Sequence, residues 1–148
     1  MKSIAENDVT NCSILRLLRN VYLDASLDID NEIYVRDGLQ FPTWVSVLPK
    51  ERLIKFFTYM DFKGCDFTGC SVFEVASHLN TNIAVPVFYA MGERIYANYF
   101  LTYTGGVSKL QLISMLRRFS GAFEAGIRLA DIVPPASPEV EARQRLHS

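Results

Sequence analysis

Two glycines, a serine and a lysine stand close together in TYTGGVSKLQL, residues 102–112. A glycine-rich loop before a helix can wrap phosphates with its backbone N–H groups, and a lysine can then reach them. The phosphate-binding loop has the pattern G-x-x-x-x-G-K-[ST], whereas this lysine follows the serine and no glycine stands five residues before Gly106. The dinucleotide pattern G-x-G-x-x-G is also absent. We therefore predict that Gly105 and Gly106 turn a strand into a helix; an anion bound at the helix start near Ser108 is the alternative.

Cysteine and histidine residues are the next candidates for chemistry. Cys65, Cys70 and His78 would need Cys12 as a fourth ligand to hold zinc. Structural zinc sites usually contain two cysteine or histidine pairs, with about two to four residues between paired cysteines. The four residues between Cys65 and Cys70 lie at the upper end of this spacing, but a single candidate histidine follows, so the ligand set is incomplete. We predict no bound metal and no cofactor.

Catalytic groups would have to come from few histidines and from the acids of one loop. The histidines are His78 and His147, and no G-x-S-x-G motif occurs. Asp61, Asp66 and Glu74 cluster around one loop, but helix starts favour acids for electrostatic reasons. No set of nucleophile, base and orienting group is indicated. We predict that the protein is not an enzyme; a small-molecule sensor or an enzyme that uses the glycine turn is the weakest alternative.

The elements that hold these residues follow from the spacing of apolar side chains. This spacing predicts a first helix over about residues 10–23, followed by a polar break at ASLDIDN. Ser71 and Ser108 each stand three residues before a Glu or Gln, which is the capping-box signature of a helix start. The predicted strands are EIYVR (32–36), FPTWVSV (41–47), LIKFFTYM (53–60), AVPVFYA (84–90) and RIYANYFLTY (94–103).

The order of these elements indicates the fold class. A helix, three strands, a helix, two strands and a long helix predict an α+β protein with one antiparallel sheet of about five strands packed by helices. The 148 residues are 49% hydrophobic, which suits one domain. We place this domain at residues 1–133. The last stretch, 134–148, contains three prolines and few large apolar residues, and we predict a disordered tail.

Composition argues against several classes of partner. The net charge is −1 and the isoelectric point is about 6.1, whereas nucleic-acid binders usually carry a basic patch. No run reaches the roughly 18 apolar residues of a membrane span, and the polar start does not resemble a secretory signal. Three cysteines, an odd number, do not suggest a disulfide framework. We expect a cytoplasmic protein without nucleic-acid or membrane partners.

Between about Ile14 and Ile132 the chain resembles the YbjN family, which is described as bacterial sensory transduction regulators. The stretches that carry the resemblance are GLQFPTWVSV, LIKFFTYM, ASHLNTNIAVPVFYA and LTYTGGVSKLQLISMLRRF. In that family a Gly-Val-(Ser/Thr) turn opens the last helix, as residues 106–108 do here, and an asparagine recurs where this chain has Asn80 and Asn82. The resemblance implies a type III secretion chaperone-like fold and no active-site residues.

The predicted second and third strands carry large apolar side chains on both faces. A sheet with one solvated face should alternate more clearly. We therefore predict a homodimer that buries one apolar patch against its copy, and dimers are typical of the secretion chaperones. The predicted function is a non-enzymatic regulatory or stress-related module that binds proteins. The alternative is a secretion-type chaperone that holds an extended client segment. The predicted patch consists of Trp44, Leu48, Phe56 and Met60.

Overall fold

The computed structural model describes residues 2–62 and 71–132. The helices are α1 (Asn11–Asn20), α2 (Val72–Asn82) and α3 (Lys109–Ile132), and a short 3-10 helix covers Glu6–Asp8. The strands are β1 (Ser3–Ile4), β2 (Asp24–Leu27), β3 (Ile33–Asp37), β4 (Thr43–Leu48), β5 (Leu53–Asp61), β6 (Val87–Met91), β7 (Arg94–Thr102) and β8 (Val107–Ser108). The predicted tail and the domain end at residue 133 lie outside the described residues.

The strands form one large antiparallel sheet and one small one. The large sheet has six strands in the order β2-β3-β4-β5-β7-β6, and β1 pairs with β8. The α+β class is confirmed. The sixth strand is β2, which falls in the stretch that we predicted to be a polar break. It pairs with β3 in the register Ala25↔Val35 and Leu27↔Ile33, so strand pairing rather than local apolar spacing forms it.

Helix α1 ends earlier than its apolar pattern predicts. Tyr22 has φ +66, and its N–H donates to the carbonyl of Arg19. The N–H of Leu23 donates to the carbonyl of Leu18. This is the Schellman pattern, in which a left-handed residue closes the helix and satisfies its last carbonyls. Because α1 ends at Asn20, the chain can begin β2 at Asp24.

The residues form two compact units, and the first comprises residues 2–58 and Asn98–Gly121. Its core lies between the first part of α3 and the inner face of β3 to β5. The ring of Phe56 meets that of Phe119 edge-on at 5.9 Å between centroids. The buried aliphatic residues around them include Ile14, Leu18, Ile33, Val35, Val45, Leu112 and Leu116.

The second unit comprises Tyr59–Ala97 and residues 122–132. Phe88 of β6 stacks on Phe123 of α3 at 5.9 Å between ring centroids. A Cβ at Gly126 would lie 3.1 Å from the Phe88 ring, so this glycine allows α3 and β6 to approach each other closely. The Asn80 side chain makes two hydrogen bonds to the backbone of Phe88, as a neighbouring strand would. Its Nδ2 donates to the Phe88 carbonyl at 2.6 Å, and its Oδ1 accepts the Phe88 N–H at 2.8 Å. Among the described residues, no helix has the length and apolar character that crossing a bilayer requires.

Candidate functional site

The glycine turn between β7 and β8 is a junction whose backbone N–H groups are used by the chain itself. Gly105 and Gly106 have φ values of +82 and +103, and a Cβ at Gly106 would lie 2.9 Å from the carbonyl oxygen of Ile4. The N–H of Gly106 donates to the carbonyl of Tyr103 at 2.8 Å, and that of Gly105 donates to Glu6 Oε1 at 2.6 Å. A carboxylate of the same chain therefore stands where a phosphate oxygen would have to bind.

Glu6 also forms an ion pair with Arg52 in the turn between β4 and β5. The start of α3 is satisfied in the same internal way. The N–H of Lys109 donates to the carbonyl of Lys2 at 3.0 Å, and the N–H of Gln111 donates to Ser108 Oγ at 3.2 Å. The strand-to-helix role predicted for the glycines is confirmed. Four backbone N–H groups that the anion alternative could use, those of Gly105, Gly106, Lys109 and Gln111, are engaged by side chains and carbonyls of the protein.

The predicted zinc and catalytic candidates can be placed only in part. Cys65, Cys70, Asp66 and His147 lie outside the described residues. Cys12 is exposed on α1, and His78 is exposed on α2, where its Nε2 lies 3.0 Å from the side-chain nitrogen of Asn82. Asp61 pairs with Arg94 at 3.3 Å, and the N–H of Glu74 donates to Ser71 Oγ as the predicted helix cap requires.

The structure brings together one group of acids that was not predicted from the sequence. Ligand oxygens of Asp28, Asp30 and Glu32 lie within 4.8 Å of one another in the β2–β3 loop. Asp28 Oδ1 accepts the N–H groups of Asp30 and Glu32 at 2.9 and 3.0 Å, and its Oδ2 accepts Trp44 Nε1 at 3.2 Å. These bonds assign Asp28 the role of a loop-shaping acceptor.

The predicted partner-binding patch is not a single surface, and this prediction requires correction. Trp44 pairs with Phe57 and Val45 with Phe56 across β4 and β5, and paired residues share a face of the sheet. By strand alternation, one face holds Trp44 and Leu48, and the other holds Phe56 and Met60. Phe56 is fully buried in the core.

The apolar outer face that motivated this patch has a simpler physical explanation. The Trp44 ring lies 4.6 Å from that of Tyr34 and 6.0 Å from that of Phe57. Lys55 Nζ lies 4.9 Å from the centre of the Phe57 ring. Aromatic residues on neighbouring strands thus pack along the sheet and cover one another. The half-buried state of Trp44 and Leu48 does not by itself require a partner.

A groove between α1 and the start of α3, here called the α1–α3 groove, is an open apolar feature of the first unit. Its volume is about 530 Å³, within the roughly 300–1,000 Å³ range of ligand sites. Leu110 is 77% exposed at the groove, whereas Leu112, two residues along α3, is fully buried. The lining is Lys2, Leu17, Val21, Ser108, Lys109, Leu110 and Ile113.

The rim of the α1–α3 groove is basic and held in place. Lys2 and Lys109 line it, and an adjoining hollow of about 160 Å³ that shares Leu17 and Lys109 adds Arg16 and Asp8. Lys2 immediately precedes β1, and Ser3 of β1 pairs with Ser108, which lines the groove. The groove therefore offers aliphatic contact beside positive charge on backbone that is already ordered. Such a surface suits an aliphatic segment that carries acidic residues.

The sequence contains a signal for this groove. The apolar face predicted for α3 runs through Leu112, Leu116 and Phe119, and Leu110 and Ile113 fall outside it. They are three residues apart, so they are neighbours on the helix surface. Leucine and isoleucine together outside the core stripe indicate an apolar surface that the helix does not bury in its own core.

A second groove lies along the edge strand β6 in the second unit. Its volume is about 480 Å³, and α2 and β6 contribute its walls, including Phe73, Tyr89 and Ala90. Phe73 is 61% exposed, but the backbone of Phe88 in this strand is already paired with Asn80. A hydrogen bond to Tyr96 raises the pKa of nearby Arg94 above its ordinary value. The groove mixes amide and hydroxyl groups with apolar ones.

Comparison with known proteins supports the α+β fold described above. No protein-family model matches the sequence, and no curated protein matches it. The structure is similar to the crystal structure of YbjN, "a putative transcription regulator from E. coli", with a TM-score of 0.67 and 12% identity, covering 84% of this chain and 92% of that chain. The predicted YbjN resemblance is confirmed for the fold.

Proposed function

We propose that this protein is a non-enzymatic regulatory module that acts through protein contacts. Its α1–α3 groove receives an aliphatic segment flanked by acidic residues. The observation that carries the proposal is Leu110, which is 77% exposed in an apolar groove with Lys2 and Lys109 at its rim. The regulatory part rests on the similarity of fold to YbjN.

The physical chemistry of the groove supports reversible binding. Burying one leucine-sized side chain contributes about 1.5–3 kcal/mol. Rim lysines that meet carboxylates mainly increase the association rate and the choice of partner. One or two aliphatic anchors therefore give an affinity that responds to concentration and salt, which suits a regulatory contact.

A peptide-display selection against the purified full chain tests the groove. We expect enriched peptides that combine leucine or isoleucine with Asp and Glu, and we expect Leu110→Asp to abolish their binding. Val87→Asp is the matched control, since Val87 is 60% exposed on β6 in the other unit. Peptides that bind Leu110→Asp as well as the unaltered chain would contradict the proposal.

The non-enzymatic part of the proposal rests on the glycine turn, whose Gly105 N–H is bonded to Glu6. Thermal-shift measurements with ATP, GTP and NAD test it. We expect no change in Tm beyond that produced by sodium chloride at equal ionic strength. A saturable rise in Tm with one nucleotide would favour the sensor or enzyme alternative.

A secretion-type chaperone that holds an extended client is the second candidate. Val87 and Met91 on the edge strand β6 are 60% and 59% exposed, which favours contact with an extended chain. The side-chain amide of Asn80 limits strand pairing at this edge, because it is already hydrogen-bonded to the Phe88 N–H and carbonyl groups with which a client strand would pair. If the display peptides no longer bind the Val87→Asp variant of the protein but still bind the Leu110→Asp variant, the chaperone candidate is favoured.

A further inference from the structure

We propose that the occupant of the α1–α3 groove is a second copy of this chain, which inserts its β2–β3 loop, Asp28–Glu32. The inference rests on the proposed function, because it names the partner of the same groove. The two surfaces belong to the same unit of the protein, and none of the residues lining the groove belongs to the loop. A second chain is therefore required to bring them together.

The loop presents an aliphatic side chain between acids. Ile29 is 99% exposed, which is the highest value among the large hydrophobic side chains of the described residues. Asp28 Oδ1 holds the loop closed through the N–H groups of Asp30 and Glu32. The loop is thus ordered before it meets a partner, which lowers the entropy cost of binding.

The charges of the two surfaces are opposite. The loop carries three carboxylates, on Asp28, Asp30 and Glu32. The groove and its adjoining hollow carry Lys2, Arg16 and Lys109, with Asp8 as the acid among them. An Ile29 side chain in the groove would bring Asp30 and Glu32 towards these cations, where unlike charges favour encounter and orientation.

The loop and the groove lie at opposite ends of α1. Asn11 at the start of the helix donates its side-chain N–H to the carbonyl of Asn31 at 3.0 Å, whereas the groove uses Leu17 and Val21 near the end. Six to ten helical residues separate these points by about 9–15 Å. A two-fold axis between antiparallel α1 helices places each loop at the groove of the other copy. The same contact then forms twice, as an isologous dimer requires.

A charge-swap mixture tests the proposal. The groove variant is Lys2→Glu with Lys109→Glu, and the loop variant is Asp30→Lys with Glu32→Lys. We expect light scattering to give a dimer mass for the unaltered chain. Each variant alone should self-associate at least about tenfold more weakly than the unaltered chain. In a mixture of the two variants both contacts join opposite charges again, so dimers should return. A monomeric unaltered chain, or a mixture no better than its components, would overturn the proposal.

Disulfide trapping keeps the proposal testable if a charge variant fails to fold. In a background with the three native cysteines changed to serine, an Ile29→Cys chain is mixed with a Leu110→Cys chain. We expect a cross-linked pair under mild oxidation, and none when Val87→Cys replaces Ile29→Cys. Equal cross-linking in both mixtures contradicts the interface. If display peptides still require Leu110 while no self-association occurs, the groove function stands and the second-copy inference fails.

Discussion

The glycine turn and the α1–α3 groove are neighbours in the sequence but differ in what they leave available. The turn contains the residue types of a phosphate site, yet the Gly105 N–H is bonded to Glu6. The groove has no recognisable motif, yet Leu110 is 77% exposed in it. Residue types that suggest chemistry indicate a site only when their polar groups are not already satisfied by the fold.

Replacing Gly106 by alanine tests the structural role of the turn and should destabilise the protein more than replacing Glu6 or Leu110. An alanine there needs φ near +103 and a Cβ 2.9 Å from the carbonyl oxygen of Ile4. We expect Gly106→Ala to lower the free energy of unfolding by about 2–4 kcal/mol in urea titrations. Gly105→Ala is the control, because its Cβ meets nothing within 4 Å; we expect only the conformational cost of about 1–2 kcal/mol. Equal effects would show that the close approach to Ile4 does not matter.

Replacing Glu6 tests whether an internal carboxylate closes the turn. Glu6→Ala removes the acceptor of Gly105 and the ion pair with Arg52, whose side chain is 51% exposed. Because these groups are partly solvated, we expect a loss of about 1 kcal/mol. Glu51→Ala, an exposed acid next to Arg52, should change stability much less. If Glu6→Ala is as stable as the unaltered protein in the same titration, Glu6 does not hold the turn.

Much of the fold could be predicted from the sequence where a pattern repeats. The α3 stripe of Leu112, Leu116 and Phe119 is buried as predicted, and Ser108 accepts the N–H of Gln111. Strand β2 was missed, because four residues with a mostly exposed pattern carry no clear apolar period.

The sites were harder to predict because they depend on contacts distant in sequence. The register that separates Trp44 from Phe56 is a property of two paired strands, so apolar counts along each strand do not reveal it. Likewise, Glu6 and Gly105 are 99 residues apart. Leu110 and Ile113 were visible as aliphatic residues outside the stripe, but α1 and β1 had to be placed before a groove could be recognised.

Replacing Leu110 tests the groove and should have the smallest effect on stability. Since the side chain is 77% exposed, we expect Leu110→Ala to change the free energy of unfolding by less than about 0.5 kcal/mol. Leu112→Ala removes a fully buried side chain and should cost about 2–5 kcal/mol. Urea titration of both variants measures the contrast. A large loss for Leu110→Ala would place this side chain in the core and leave no open groove there.

Amide chemical-shift mapping tests the central claim most directly. The sample is the ¹⁵N-labelled Asp30→Lys, Glu32→Lys variant, whose groove is intact and whose own loop no longer competes. It is titrated with a peptide of residues 26–34, SLDIDNEIY. We predict saturable shifts at Leu17, Val21 and residues 108–113, and none along β6. Shifts confined to β6, or no shifts at any peptide concentration, would contradict the account.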